Sequence, residues 1–263
     1  IWQSDKDANL VVAPSDHIIL KEENFLRVIT SALKASAANG SLLTLGIKPS
    51  RPDTGYGYIQ FEEEILFKDN PRIKKVKTFT EKPNYEIAKS FLASGDFLWN
   101  SGIFIWKANT ILQAFEQYLT EIADIFKGGL GKYNTSEEQS FIAEAYSVCT
   151  NISIDYGIME KADNVLVFMA DFGWSDLGTW GSLYEQLKKD DKQNAVISNN
   201  IMLYDSKNCI VNLPGTKLAV LHGLNGYIVV EKDGILLICK KEDEQQIRQF
   251  VNDVKIEKGE QYI

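Results

Sequence analysis

The residues best placed to do chemistry are carboxylates that stand where apolar runs end. Asp16 follows the run Asn9-Leu-Val-Val-Ala13 and the break at Pro14-Ser15. In open parallel sheets ligands collect beyond the carboxyl ends of the strands, so an Asp there is placed for a metal ion. Asp176 stands in the same relation to a second apolar run, Val165 to Met169, in a loop flanked by Trp174 and Gly178. Two carboxylates from distant strand ends can share one Mg2+, which takes few carboxylates and completes its shell with water and phosphate oxygens. Ordinary turn chemistry competes with that reading: Asp16 could cap the helix that follows, and Asp176 could close an Asx turn.

Three further segments carry groups suited to a phosphorylated, hydroxylated ligand. Thr54-Gly55-Tyr56-Gly57-Tyr58 puts two glycines before a strand, where a bare backbone can approach a ligand closely. No helix follows, so it is not a dinucleotide fingerprint, and a tight turn with packed tyrosines uses the same residues. Glu81-Lys82-Pro83 sets opposite charges at a strand end. Glu accepts from a pair of sugar hydroxyls and Lys is a compact cation for phosphate, although a surface ion pair has the same sequence. Asn100, in Trp99-Asn100-Ser101-Gly102, both donates and accepts; its plainer role is a turn residue between helix and strand. In Ser153-Ile-Asp155-Tyr-Gly-Ile-Met-Glu160, Asp155 reads as structural, at the capped start of a helix.

The elements that must hold these groups follow from apolar periodicity. Asn9 to Ala13 is short and continuously apolar, as a buried parallel strand is. Glu22 to Ala38 has Phe25, Val28, Ile29, Ala32 and Leu33 at helical spacing and stops at Asn39-Gly40. Leu42 to Gly46 is a second buried strand, and strand, helix, strand implies a parallel α/β sheet. Tyr58 to Phe61, Ile73 to Thr80, Gly102 to Trp106 and Val165 to Met169 read as strands. Tyr85 to Leu92, Asn109 to Tyr118 and Glu137 to Tyr146 read as helices, with a loop at Gly128-Gly-Leu-Gly131. From about Asn194 the texture changes to short β runs, with a hairpin signal at Asp233-Gly234 and a closing amphipathic helix from Asp243 to Val254. The charged run Lys188 to Lys192 places a boundary there: a core over 1–190 and a small β-rich domain over 191–263, for which a β-solenoid is one option.

Bulk composition narrows the function classes. With 28 basic and 36 acidic residues the net charge is −8, which argues against a nucleic-acid backbone as partner. Only His17 and His222 are histidines, so a His-rich metal site is excluded. Cys149, Cys209 and Cys239 have no CxxC spacing and read as reduced core thiols of a cytoplasmic protein. No apolar run reaches the roughly 18 residues of a membrane span, and Ile1 to Asp7 has no signal-peptide pattern.

Singly these signals are weak; their order is not. Ala13-Pro-Ser-Asp-His17, Thr54-Gly-Tyr-Gly-Tyr-Ile59, Phe79-Thr-Glu-Lys-Pro83, Trp99-Asn-Ser-Gly-Ile-Phe104, Ser153-Ile-Asp-Tyr-Gly-Ile-Met-Glu160 and Trp174-Ser-Asp-Leu-Gly-Thr-Trp180 resemble, in sequence order, the motifs of the mannose-1-phosphate guanylyltransferase family of nucleotidyltransferases. The resemblance implies a partial Rossmann-like nucleotidyltransferase fold with a mixed sheet. It also implies an enzyme that makes GDP-mannose and pyrophosphate from GTP and mannose 1-phosphate. In that scheme Asp16 and Asp176 hold Mg2+, Lys82 holds the sugar phosphate, Glu81 and Asn100 bind mannose hydroxyls, and the Gly57 backbone lies against the sugar. The family's opening Gly-rich phosphate loop has no counterpart here. The expectation is therefore a chain that starts inside the nucleotide-binding half and stops before the cupin-like isomerase domain of bifunctional relatives. A sheet shorn of its neighbour strands is expected to self-associate. The rival readings are a transferase for another sugar 1-phosphate and a non-catalytic sugar-phosphate-binding module.

Overall fold

A computed structural model describes residues 1–262, which divide after Trp174 into two compact units. None of the described helices is long and apolar enough to cross a membrane.

The first unit runs β1 (Asn9–Val12), β2 (Ile18–Ile19), α1 (Glu22–Asn39), β3 (Leu42–Ile47), β4 (Tyr58–Phe61), β5 (Ile73–Thr80), α2 (Tyr85–Ser94), β6 (Phe97–Lys107), α3 (Ala108–Tyr118), α4 (Thr120–Lys127), α5 (Glu138–Val148), a π-helical turn (Asp155–Met159) and β7 (Val165–Ala170); β8 (Trp174–Ser175) lies at the division. Six strands make a mixed sheet in the order β1-β6-β3-β7-β5-β4, and β4 also pairs with β6. Its centre is the parallel pair β3 and β7, in register from Leu42 opposite Val165 to Ile47 opposite Ala170. Alternate side chains serve opposite faces. Leu43, Leu45, Ile105 and Phe168 pack with Val28, Ile29 and Ala32 of α1. Leu42, Phe104 and Trp106 pack with Ile111 and Ala114 of α3 and with Ile158 and Met159 of the π turn. Helix α1 begins with Glu22 and Glu23, which complement the positive helix terminus, and ends at the left-handed Gly40.

One expectation for this unit is corrected. Asn9 to Ala13 is not an interior parallel strand: β1 is the sheet edge, antiparallel to β6, and Val11 and Val12 are exposed. A continuous apolar run cannot distinguish these cases, because it reports side-chain chemistry and not which neighbour strand is present. Thr120–Lys127, which periodicity left unassigned, is a separate helix, set off from α3 by Leu119 at φ −135°. The β1-α1-β3 unit holds as a crossover, with β6 inserted antiparallel between its two strands.

The second unit begins with α6 (Trp180–Gln186), followed by β9 (Ala195–Val196), β10 (Ile201–Tyr204), β11 (Ile210–Asn212), β12 (Ala219–His222), β13 (Tyr227–Lys232), β14 (Ile235–Lys240) and α7 (Ile247–Lys258). Helix α6 belongs here because Trp180, Leu183, Tyr184 and Leu187 pack on Ala195, Ile210, Ile228 and Cys239. Packing therefore divides the chain before the charged run at 188–192. The strands stack in parallel, with Ile201 opposite Ala219 and Ile210 opposite Ile228, both offset by 18 residues. That is solenoid geometry. Asp233 (φ 51°) and Gly234 (φ 80°) turn β13 into antiparallel β14, the two left-handed residues a tight hairpin needs.

Candidate functional site

Strand register brings the predicted sugar-side residues together. Strand β4 runs antiparallel to both β5 and β6, so Tyr58 lies opposite Thr80 on one side and Trp99 on the other. The residues just beyond, Gly57, Glu81 and Asn100, therefore align in a row across three strands. The Asn100 amide nitrogen donates to the Gly57 carbonyl at 2.8 Å. A side chain at Gly57 would overlap Glu81 Oε2 and lie 3.5 Å from Asn100 Cβ, so the glycine makes room for a carboxylate.

Asn100 sits within β6, at a bulge, and not in a turn between elements. Against β3 the register jumps between Thr44 and Gly46, and β6 absorbs the extra residues at Ser101-Gly102, where Gly102 takes φ 69°. Ser101 Oγ donates to the Leu45 carbonyl at 2.8 Å, and Asn100 Oδ1 accepts from the Gly102 amide at 3.2 Å and from Thr44 Oγ1 at 3.1 Å. The Asn-Ser-Gly order supplies what the bulge requires: two side chains to meet its displaced polar groups and one residue free to turn left-handed.

Lys82 has φ 46°, a left-handed conformation that costs a side-chain-bearing residue roughly 1–2 kcal/mol. This breaks the strand alternation, so adjacent charged residues reach one place: Lys82 Nζ lies 3.4 Å from Glu81 Oε1. Only 19% of the Glu81 side chain is exposed, against 55% for Lys82. Burial raises the Glu81 pKa, Lys82 opposes the shift, and Asp155 adds to it.

Asp155 is the residue that sequence reasoning misplaced. It caps nothing. Its Oδ1 accepts from Asn100 Nδ2 at 2.7 Å, and burial raises its pKa against the pull of that bond and of Lys82. The segment's local turn is instead served by Ser153, whose carbonyl accepts from the Gly157 amide. Glu160, raised by burial and by Asp155, adds a third carboxylate to Glu81 and Asp155. A π turn here was a usable signal in the structure, since such turns gather at functional sites, but its sequence looks like an ordinary helix start.

The Thr54-to-Tyr58 loop is both packed and braced. Asp53, 1% exposed, takes Arg51 at 2.8 Å and the Gly55 amide at 2.8 Å, while Tyr58 Oη holds the Asp53 backbone. Tyr56 stacks edge-on against Trp99 at 4.9 Å and tilts on Trp174, whose indole donates to His17 Nδ1 at 3.1 Å.

The two predicted metal ligands fall in different units. Asp16 ends the β1 loop with its side chain 86% exposed, and its nearest ionisable partner is His17 at 3.9 Å. Asp176 closes an Asx turn, Oδ1 accepting from the Gly178 amide at 2.9 Å. Among the described residues no cluster of three or more His, Cys, Asp or Glu stands ready for a metal ion.

Residues 1–193 match the nucleotidyl transferase family model, and residues 198–254 match that of the MannoseP isomerase/GMP-like beta-helix domain. The chain is 34% identical to a mannose-1-phosphate guanylyltransferase of Salmonella montevideo, over 98% of this chain and 55% of the relative. It is 35% identical to the xanthan biosynthesis protein XanB of Xanthomonas campestris pv. campestris (strain B100), over 95% of this chain and 51% of that protein. The chain thus spans about half the length of the curated relatives it matches. A solved structure named as a mannose-1-phosphate geranyltransferase from Thermus thermophilus superposes with a TM-score of 0.78 at 26% identity, covering 97% of this chain and 72% of that one. With a family match over residues 1–193 and the motif residues of three strands aligned at one site, this chain belongs to the nucleotidyl transferase family.

Proposed function

We propose that the protein carrying this chain makes GDP-mannose and pyrophosphate from GTP and mannose 1-phosphate. The observation that carries the reading is the convergence of Gly57, Glu81 and Asn100, with Lys82 beside them. Carboxylate and amide offer acceptors and a donor for sugar hydroxyls, and the half-exposed ammonium of Lys82 would hold the sugar phosphate. An oxygen of that phosphate attacks the α-phosphorus of GTP. A new P–O bond forms there as the bond to the β-phosphate oxygen breaks, and pyrophosphate leaves with that electron pair. No side chain need bond covalently; positioning and charge stabilisation lower the barrier.

Magnesium, when bound, would neutralise phosphate charge and polarise the reacting phosphoryl group. Asp16 suits it: a hard oxygen donor, largely in solvent, where Mg2+ can keep most of its water. A cytoplasmic location belongs to the same reading, supported by three free cysteines. So does self-association, supported by the exposed Val11 and Val12 on edge strand β1 and measured by light scattering over a concentration series.

The deciding experiment is pyrophosphate release by the natural full-length protein, with mannose 1-phosphate or glucose 1-phosphate against GTP, UTP and dTTP. Turnover should be greatest with GTP and mannose 1-phosphate. Preference for another pair would change the substrate, and binding without turnover for any pair would make this a sugar-phosphate-binding module.

A further inference from the structure

We infer that Asp155 is a positioning residue for substrate recognition, acting through the side-chain amide of Asn100. The inference rests on the sugar-phosphate reading of the Gly57–Glu81–Asn100 corner and assigns that corner a residue outside its own three strands.

The hydrogen-bond inventory of Asn100 carries the argument. A carboxamide has one acceptor oxygen and two donor hydrogens, and which end is which is settled by its partners. On the oxygen side the Gly102 amide can only donate, at 3.2 Å, and Thr44 Oγ1 adds a second contact at 3.1 Å. On the nitrogen side an ionised Asp155 can only accept, at 2.7 Å. Obligate partners at both ends fix the amide in one orientation. One Nδ2 hydrogen is then left over among the hydrogen bonds of the described residues, at the Gly57 corner it shares with a Glu81 carboxylate that can only accept when ionised. A fixed donor next to a fixed acceptor is the unit that recognises a hydroxyl, which must itself accept and donate.

The remaining geometry fits a support role for Asp155. It stands on the π-helical turn, whose Ile158 is fully buried, and Gly157 packs so closely on Leu119 that a side chain there would meet Leu119 Cδ1 at 2.7 Å. A carboxylate on a locked turn holds a flexible amide better than one on a loop. The alternative, that Asp155 merely balances charge, is disfavoured by its neighbours: Glu81 and Glu160 carry its own sign, and Lys82 is already paired with Glu81.

The test pairs a spectroscopic arm with a kinetic arm, in the natural full-length protein. In Asp155→Ala the Asn100 side-chain 15N–1H resonances should move toward those of a free amide. In Asp155→Asn, whose own oxygen can still accept from Asn100, they should stay separated. The KM for mannose 1-phosphate should rise roughly tenfold in Asp155→Ala, the scale of one mispositioned hydrogen bond. The kcat should stay within about twofold, and Asp155→Asn should recover most of the loss. Adding Asp155→Ala to Asn100→Ala should change the KM no further, because the residue through which Asp155 acts is gone. Multiplying single-mutant effects, or unmoved Asn100 resonances, would overturn the inference. If Asp155→Ala does not fold, Asp155→Ser, too short to reach Asn100, takes its place. If the wild-type protein binds no hexose 1-phosphate, the functional reading falls, and the Asn100 resonances alone decide whether Asp155 positions the amide.

Discussion

Gly57→Ala separates the site from the fold that carries it. The main chain at Gly57 lies outside the left-handed region, so alanine is allowed there by the backbone. Its methyl group, however, would overlap Glu81 Oε2 and approach Glu81 Cδ to 3.3 Å, while Asn100 Cβ stays at an ordinary 3.5 Å. The group that must yield is the end of a flexible side chain, and it must withdraw by about 1 Å, enough to spoil a hydrogen bond aimed at a sugar hydroxyl. Losing one hydrogen bond to a charged group costs roughly 1.5–3 kcal/mol, which weakens mannose 1-phosphate binding about 10- to 100-fold. Stability should barely move. Replacing glycine where the backbone permits gains about 0.4–1 kcal/mol through the unfolded chain, and forcing Glu81 off its rotamer costs about 0.5–1.5 kcal/mol. The two nearly cancel, for a change in Tm of no more than about 4 °C. The measurements are the KM for mannose 1-phosphate and a thermal melt of the same preparation, with Glu81→Ala and the double mutant alongside. The double mutant should bind no worse than Glu81→Ala alone. Unchanged affinity, or a loss of several kcal/mol of stability with it, would refute the reasoning.

Glu81→Ala alone should cost roughly 1–3 kcal/mol in mannose 1-phosphate affinity; unchanged affinity would reduce Glu81 to a surface charge. Burial, opposed by Lys82 and reinforced by Asp155 and Glu160, holds the Glu81 pKa above its unfolded value, so its stabilising contribution is full below that value and is lost as pH rises through the folded one. Glu81→Gln, which cannot titrate, should therefore gain Tm over wild type between about pH 4 and pH 7, and an equal difference at both ends would exclude the effect. Asp16→Asn should raise the Mg2+ concentration for half-maximal activity about tenfold with no change in Tm, since its carboxylate is 86% exposed; a magnesium titration decides it. Gly46→Ala should lose about 1–3 kcal/mol in urea unfolding, because its methyl would sit 2.6 Å from Leu98 Cδ1 and 2.7 Å from Val167 Cγ2 in the sheet interior.

The elements that periodicity located are those whose signal is carried by their own residues. Helix α1 has its apolar stripe, its acidic first turn and its Gly40 stop, and it forms where those say. The Asp233-Gly234 hairpin is equally local. What periodicity could not supply is the identity of neighbours. The run Asn9 to Val12 is apolar enough for an interior strand, yet its place at the edge depends on β6 alone. The parallel stack of β9, β11 and β13 is likewise a relation among segments, repeated in register and hardly in sequence: Ala195, Ile210 and Ile228 share a column, and the single valine that follows each is too short a pattern to announce a repeat. The separation of α6 from the first unit has the same origin, since Trp180 and Leu183 are apolar residues that would suit either core.

The site divides along the same line. Glu81 and Lys82 are adjacent in the chain, and Asn100 offers a donor and an acceptor on one side chain, so all three could be singled out before any fold was known, although Asn-Ser-Gly reads as a turn and not as the bulge it forms within β6. Asp155 could not. Its partner lies 55 residues away, and the local pattern of a serine, an acidic residue and an apolar run is what an N-cap also shows. The distinction is made by the turn itself: the Ser153 carbonyl takes the Gly157 amide, the helix start is met without Asp155, and the carboxylate is released to face Asn100. An acid left over from local capping and buried against a like charge is costly unless it meets a donor. Asn100 Nδ2 is that donor, so the bond that relieves Asp155 also fixes the amide.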